Sequence, residues 1–187
     1  VPMNEALMLV HNTLVGLNIR QHIHIGAAGK ITSAFDIART ISMGADWCNA
    51  GRAFMFSLGC IQALSCHTDK CPTGIATQDR ARSNNLNPAD KAVRVYNYHR
   101  NTMRALGELL SAAGLSHTSQ LGPEHIVRRV SPTQIRSLGS LYRFLEPGEL
   151  LDGLPEHALF RDYWPVARSD SFEPPARIMA MRESRLY

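Results

Sequence analysis

The chain has 187 residues, of which 44% are hydrophobic and 19% charged, with a formal net charge of +4 and a pI near 9.1. No apolar run approaches the roughly 18–20 residues of a membrane span, and Val1-Pro-Met-Asn-Glu5 lacks the basic, apolar and small-residue regions of a secretory signal. Four cysteines in that context point to thiol chemistry in a reducing, cytoplasmic compartment, and a first residue other than Met suits a processed or excerpted piece.

The first element is a helix over Asn4 to Leu17, where Leu7, Leu9, Val10, Leu14 and Val15 recur near helical spacing. His22-Ile-His-Ile-Gly26 alternates and ends in small residues, which reads as a short strand and turn. Ser33 to Met43 returns to helical spacing with Ala34, Ile37, Ala38 and Ile41 on one side. Ala45 to Asn49 is a second strand candidate, and Gly51 leads into an apolar helix from Arg52 to Leu58. Strand, turn and helix repeated in this order is the rhythm of a parallel α/β architecture. Further on, Asn87 and Pro88 open a long helix that Gly114 terminates. Ser131-Pro132 reads as the start of another helix carrying Ile135, Leu138, Leu141 and Leu145. Prolines and glycines dominate from Pro147, and residues 151–187 read as an extended C-terminal arm. The basic face, with Arg94, Arg100, Arg104, Arg128, Arg129 and Arg136, suits a solvated surface or an acidic partner. No like-charge run or aromatic platform supports nucleic-acid binding, and no membrane partner is expected.

The chemistry concentrates in Gly59-Cys-Ile-Gln-Ala-Leu-Ser-Cys-His-Thr-Asp-Lys-Cys-Pro-Thr-Gly74, where Cys60, Cys66 and Cys71 are spaced C-x5-C-x4-C-P. An odd number of thiols cannot be consumed by pairwise bridging. Iron–sulfur clusters are held by thiolates, and a terminal Cys-Pro occurs in some cluster runs. Zinc competes, with His67 as a fourth ligand, although structural zinc favours shorter spacings and adjacent residues rarely reach one tetrahedral ion. Buried free thiols are the third reading. Cys48, on the apolar strand, reads as a small buried thiol.

Together with the upstream segments Ile25-Gly-Ala-Ala-Gly-Lys-Ile31 and Gly44-Ala-Asp-Trp-Cys-Asn-Ala-Gly-Arg-Ala-Phe-Met-Phe-Ser-Leu-Gly59, this run resembles the flavin- and cluster-binding region of the glutamate synthase family. Residues 23–79 carry the likeness. Leu121-Gly-Pro-Glu-His-Ile126 and Phe144-Leu-Glu-Pro-Gly-Glu-Leu150 look like the C-terminal end of its stand-alone FMN-binding members. The resemblance implies a 3Fe–4S cluster on Cys60, Cys66 and Cys71. It also implies that the two strands are the last two of a (β/α)8 (TIM) barrel, a fold of about 250 residues and eight strands, followed by a mainly helical C-terminal extension. The expected organisation is barrel βα units over 1–58, a cluster loop over 59–79, a helical region over 80–150 and the arm over 151–187.

Loops after the last barrel strands often hold a phosphate. Ala28, Gly29 and Lys30 after the first strand, and Asn49, Ala50, Gly51 and Arg52 after the second, are the expected FMN-phosphate contacts. Their small residues let backbone N–H groups approach, and a helix N-terminus and Arg52 add positive charge. Asp46 is a candidate for orienting the nearby loop, and His22 and His24 are expected on one side of a strand. No catalytic acid or base is assigned.

The implied activity is that of an oxidoreductase acting on CH–NH2 donors, in which electrons pass through the cluster to FMN and reduce 2-iminoglutarate to glutamate. Methylamine-linked glutamate chemistry is the variation within the family. The implied partners are the missing N-terminal barrel segment, an electron donor such as ferredoxin or a reductase subunit, and possible further copies of the protein. The competing reading is a zinc-stabilised helical interaction module without catalysis.

Overall fold

The computed structural model describes residues 2–153, 156–174, 176 and 178. Two compact units divide the chain: Val1–His11 with His24–Tyr142, and Asn12–Ile23 with Arg143–Tyr187. Helix α1, Met3–Gly16, contributes residues to both.

The first unit is built on a βαβα arrangement. Strand β1 (Gly26–Ala28) is followed by α2 (Ala34–Ser42), β2 (Trp47–Asn49) and α3 (Gly51–Leu58). β1 and β2 pair in parallel, with Gly26 opposite Trp47, Ala27 opposite Cys48 and Ala28 opposite Asn49. The unit is thus α/β, as its alternating pattern implies, but the first strand starts later than His22. Residues Arg20–His22 instead form a 3-10 turn, which corrects the expectation of an alternating strand over His22 to Gly26. The reason is local: the Ile25 N–H is taken by the Asp46 carboxylate at 2.6 Å and the Ile25 carbonyl by the Asp46 N–H at 2.8 Å. Ladder pairing therefore begins only at Gly26.

Helix α2 begins with a capping box. The Ser33 hydroxyl accepts from the Asp36 N–H while the Asp36 side chain accepts from the Ser33 N–H, satisfying donors that the first turn cannot pair internally. Its inner residues Ala34, Ala38 and Thr40 are buried with Ile31, Met43 and Ala45. A short helix α4 (Arg80–Ser83) precedes α5 (Pro88–Ala112). As expected, Asn87 caps α5, accepting from the Ala89 N–H at 3.0 Å, and Pro88 occupies its first turn. Gly114 follows in a left-handed conformation at φ 73°, one that a Cβ would disfavour. α5 packs against both α2 and α3, placing Leu106 and Leu110 in the core.

Beyond α5 the structure departs from the sequence reading. In place of a helix from Ser131, β3 (Val127–Ser131) and β4 (Gln134–Ser137) form an antiparallel hairpin closed at Pro132-Thr133. The ring of Pro132 suits either the first turn of a helix or a tight turn. Val127, Val130 and Ile135 decide for the strand, because β-branched side chains lose little freedom there. The helical residue run shrinks to α6 (Leu138–Leu141), capped by Ser137.

The second unit gathers around Leu145, Leu150 and Phe160, with Leu17 and Trp164 against them. Asn12, 2% exposed, is fully engaged: its Nδ2 donates to the Arg143 carbonyl at 3.0 Å and its Oδ1 accepts from the Leu145 N–H at 3.1 Å. Orphan carbonyls at the end of α1 are satisfied in the same unit, Val15 by the Gly148 N–H and Gly16 by the Leu150 N–H. Within the segment expected to be an extended arm, Ala158–Tyr163 forms helix α7, continued by a 3-10 turn over Trp164–Val166. The parts of that expectation at residues 154, 155, 175, 177 and 179–187 lie outside the described residues. Among the described residues no helix is long and apolar enough to cross a membrane.

Candidate cofactor site

The parallel register places Ala28 beside Asn49 at the C-terminal ends of β1 and β2. Gly29 and Lys30 therefore leave the sheet next to Ala50, Gly51 and Arg52. Six of these seven residues, Ala28, Gly29, Lys30, Asn49, Gly51 and Arg52, are exposed, while Ala50 is half-buried. Lys30 takes a left-handed conformation at φ 54°, which costs a non-glycine residue energy and marks a backbone shaped by its surroundings.

The two loops are not equivalent as anion sites. The N-terminus of α2 is already occupied by its own capping box, and Asp36 puts a carboxylate there. Burial pushes the Asp36 carboxyl up, but hydrogen bonds from the Ser33 hydroxyl and from Thr32 and the Ser33 amide outweigh it and hold the group below the usual carboxylate value. The N-terminus of α3 is different. Its cap residue, Ala50, has no side chain able to accept a hydrogen bond, and the space into which a Cβ on Gly51 would project is empty to 4 Å. Its first-turn N–H groups are thus free of any side-chain cap, the arrangement that favours an incoming anion. Gly29, by contrast, is filled in: a Cβ there would lie 3.2 Å from the Met3 sulfur.

Asp46 does not orient these loops. It stands at the opposite end of the strands, bonded to Ile25 and 3.7 Å from His24 Nδ1. His22 belongs to the 3-10 turn, and His24 is exposed against Trp47, with ring centroids 6.5 Å apart.

Helix α3 leads directly into the thiol run. It ends at Gly59, left-handed at φ 104°, and the Cys60 N–H returns to the Met55 carbonyl at 3.0 Å, which fixes the backbone of the first cysteine. Cys66 opens a 3-10 turn that stops at Asp69. Asp69 then clasps the far side of the loop, accepting from the Thr77 hydroxyl at 2.7 Å and from the Gln78 N–H at 2.5 Å. Inside this clasp Cys71 is buried, its sulfur 3.4 Å from the Thr73 hydroxyl. The Thr73 side chain, then the N–H groups of Ala76, Thr73 and Ile75, bring its pKa down to about 7. Such a nest of donors stabilises a thiolate, the form that ligates metals. Cys48 behaves oppositely: partial burial pushes its thiol up to about 11, and it is half-buried in the structure, not the fully buried thiol expected.

Cys60 is half-buried and Cys66 exposed, and among the described residues no three His, Cys, Asp or Glu side chains converge as a metal site. The donor chemistry fits a soft metal centre, while the thiols lie strung along the loop. Between them Ile61 and Leu64 are 66% and 82% exposed, so this stretch has little packing to set the thiols' spacing. His67 is exposed as well. Sequence reasoning missed Thr73, whose hydroxyl lies 3.4 Å from the Cys71 sulfur, and Tyr98 of α5, which donates to the Thr32 carbonyl after β1 and meets Phe54 of α3 edge-on.

Residues 1–116 match the family model described as the conserved region in glutamate synthase. The chain belongs to the glutamate synthase family. It is 36% identical over 141 residues to the glutamate synthase large subunit-like protein YerD of Bacillus subtilis, covering 75% of this chain and 27% of that one. It is 35% identical over 121 residues to the archaeal glutamate synthase (NADPH) of Methanocaldococcus jannaschii, covering 65% and 24%. To the large chain of the Azospirillum brasilense glutamate synthase (NADPH) it is 25% identical over 136 residues, covering 67% and 9%. The chain thus spans about a quarter of the length of the first two.

Proposed function

We propose that this chain forms the flavin- and cluster-bearing end of a glutamate synthase-like oxidoreductase, its two parallel strands being the last two of a (β/α)8 barrel. One observation carries the reading: the uncapped N-terminus of α3 lies beside the Lys30 loop, and the same helix runs straight into the thiol loop. Ala28, Gly29, Lys30, Asn49, Ala50, Gly51 and Arg52 would hold the FMN phosphate, with α3 supplying free N–H groups and Lys30 and Arg52 supplying charge. Cys60, Cys66 and Cys71 would hold a 3Fe–4S cluster, with Cys71 already biased toward thiolate. When bound, these groups would supply the electron transfer that reduces 2-iminoglutarate to glutamate.

The chain's own part in that chemistry is to bind and to orient. Gly51 leaves room for a phosphate at the α3 N–H groups, Arg52 offers a bidentate charged contact, and the donors around Cys71 favour a thiolate. The remaining barrel strands would close the pocket. Relatives named for NADPH make a reductase subunit a fitting electron donor, alongside a ferredoxin. Cofactor analysis of anaerobically purified protein, assembled with its remaining barrel, tests the proposal. FMN together with iron and acid-labile sulfide is the expected content; zinc without flavin or sulfide would overturn it in favour of a metal-stabilised interaction module.

A further inference from the structure

A second site lies in the first unit, away from every residue assigned above. A cavity of about 330 Å³ opens between α2 and the β3–β4 hairpin with α6, within the size range of small-ligand pockets. Phe35 and Arg39 of α2 and Met43, which ends that helix, recur every fourth residue and form one wall. Val127, Arg128 and Leu138 face them from the hairpin and α6.

Two arginines at this cavity hold unspent binding capacity. Arg39 gives Nη2 to Asp36 at 3.2 Å, but its Nε is buried without a hydrogen-bond partner. A buried unsatisfied donor on a cation is costly, so native structures rarely leave one without a purpose. Arg128 stands directly opposite Arg136 across the ladder, an arrangement in which like charges repel. The neighbouring guanidinium groups are tied down, Arg129 to the Pro132 carbonyl at 2.8 Å and Arg136 to the Ser140 carbonyl at 2.6 Å. Arg128 has no such tie among the described residues. Two-stranded hairpins are marginal alone, so a ligand that neutralises Arg128 also steadies this element.

We propose that this cavity binds a small organic monocarboxylate, its carboxylate held by Arg39 and Arg128 and its apolar body laid along Phe35, Met43 and Leu138. A carboxylate suits the planar donor fork of a guanidinium. The apolar wall argues for a carbon body behind it: Phe35 is 48% exposed, and an inorganic ion would leave that ring in water. The proposal is independent of the flavin and cluster reading, because the two share no residue.

Benzoate is the probe, titrated into the intact protein that carries this chain, isotope-labelled, and followed by amide chemical shifts. Saturable shifts at Phe35, Arg39, Arg128 and Leu138, with a millimolar or tighter dissociation constant, are expected. Benzyl alcohol and inorganic phosphate should each bind at least about tenfold more weakly, since one lacks the charge and the other the apolar body. Arg128→Gln and Arg39→Gln should each weaken benzoate about tenfold or more, and Arg104→Gln, on the exposed side of α5, should not. Folding is checked in the same spectra. Absence of saturable shifts, equal binding of benzyl alcohol or of phosphate, or unchanged affinity in folded Arg128→Gln would overturn the proposal.

Discussion

The hydroxyl of Tyr98 donates to the carbonyl oxygen of Thr32 at 3.1 Å, tying the middle of α5 to the segment between Lys30 and α2. The same ring meets Phe54 of α3 edge-on, with centroids 5.2 Å apart. One side chain thus joins the loop that leaves β1 to helix α3, which follows β2. Tyr98→Phe removes only the hydrogen bond, whose carbonyl is exposed and can turn to water, so a loss of about 0.5–1 kcal/mol is expected. Tyr98→Ala also removes the aromatic contact and should cost at least about 2 kcal/mol. Denaturant midpoints of the two variants decide the matter. Equal losses would mean that the ring contributes nothing to the brace.

Acid should expose the capping box. The folded pKa of Asp36 is lowered, so its contribution is complete above the ordinary carboxylate value, near pH 4. It is lost as the pH falls through the lowered folded value. At neutral pH Asp36→Asn should be less stable by about 1 kcal/mol, and the gap to the unaltered chain should narrow on acidification. Urea unfolding at a series of pH values checks this. A gap that stays constant down to about pH 2 would show that the charge on Asp36 plays no part.

Much of this machinery was legible beforehand because it is local. The Asn87-Pro88 start of α5 and its Gly114 stop and the glycine opening α3 all depend on residues a few positions apart. Tyr98 and Thr32, 66 positions apart, are joined only by the packing of α5, and no periodicity announces it. The hairpin was misread for a related reason: Pro132 fits two local conformations, and pairing with a neighbouring strand selected one. The two strand-end loops looked alike in sequence, yet Asp36 occupies the α2 end and nothing caps the α3 end.

Two glycines separate strain from collision in the thiol loop. Gly74 sits at φ 78°, and a Cβ there would run into the backbone carbonyl of Arg82, which cannot swing aside. Gly59 sits at φ 104° with only the tips of Lys91 and Arg94 nearby, at 3.8 Å. Gly59→Ala should therefore cost about 1–2 kcal/mol, the strain of the left-handed backbone. Gly74→Ala should cost roughly twice that, since the backbone must also move. Comparison of thermal unfolding midpoints tests the order, which a milder Gly74→Ala would reverse.

Replacing Cys60, Cys66 or Cys71 by Ser in the cofactor-loaded protein should each abolish the cluster, because a hard hydroxyl is a poor substitute for a soft thiolate. Cys48→Ser should leave it intact, its thiol being held protonated near the core. Iron and sulfide content with the paramagnetic signal reports the result. An unchanged signal in Cys66→Ser would remove the exposed thiol from the ligand set.

The phosphate reading is best tested at Gly51 and not at Gly29. Gly29→Val would crowd Met3, so any loss of flavin could reflect misfolding alone. Gly51 has open space around it, and Gly51→Ala should leave the stability of the chain within about 0.5 kcal/mol. The added methyl would nevertheless stand where a phosphate approaches the free N–H groups of α3. In the cofactor-loaded protein it should weaken FMN retention about tenfold or more, as should Arg52→Ala, which removes a charged contact worth roughly 1.5–3 kcal/mol. Flavin fluorescence released on dilution measures both, with circular dichroism as the check on folding. Full FMN retention by a correctly folded Gly51→Ala, Arg52→Ala double variant would place the phosphate elsewhere.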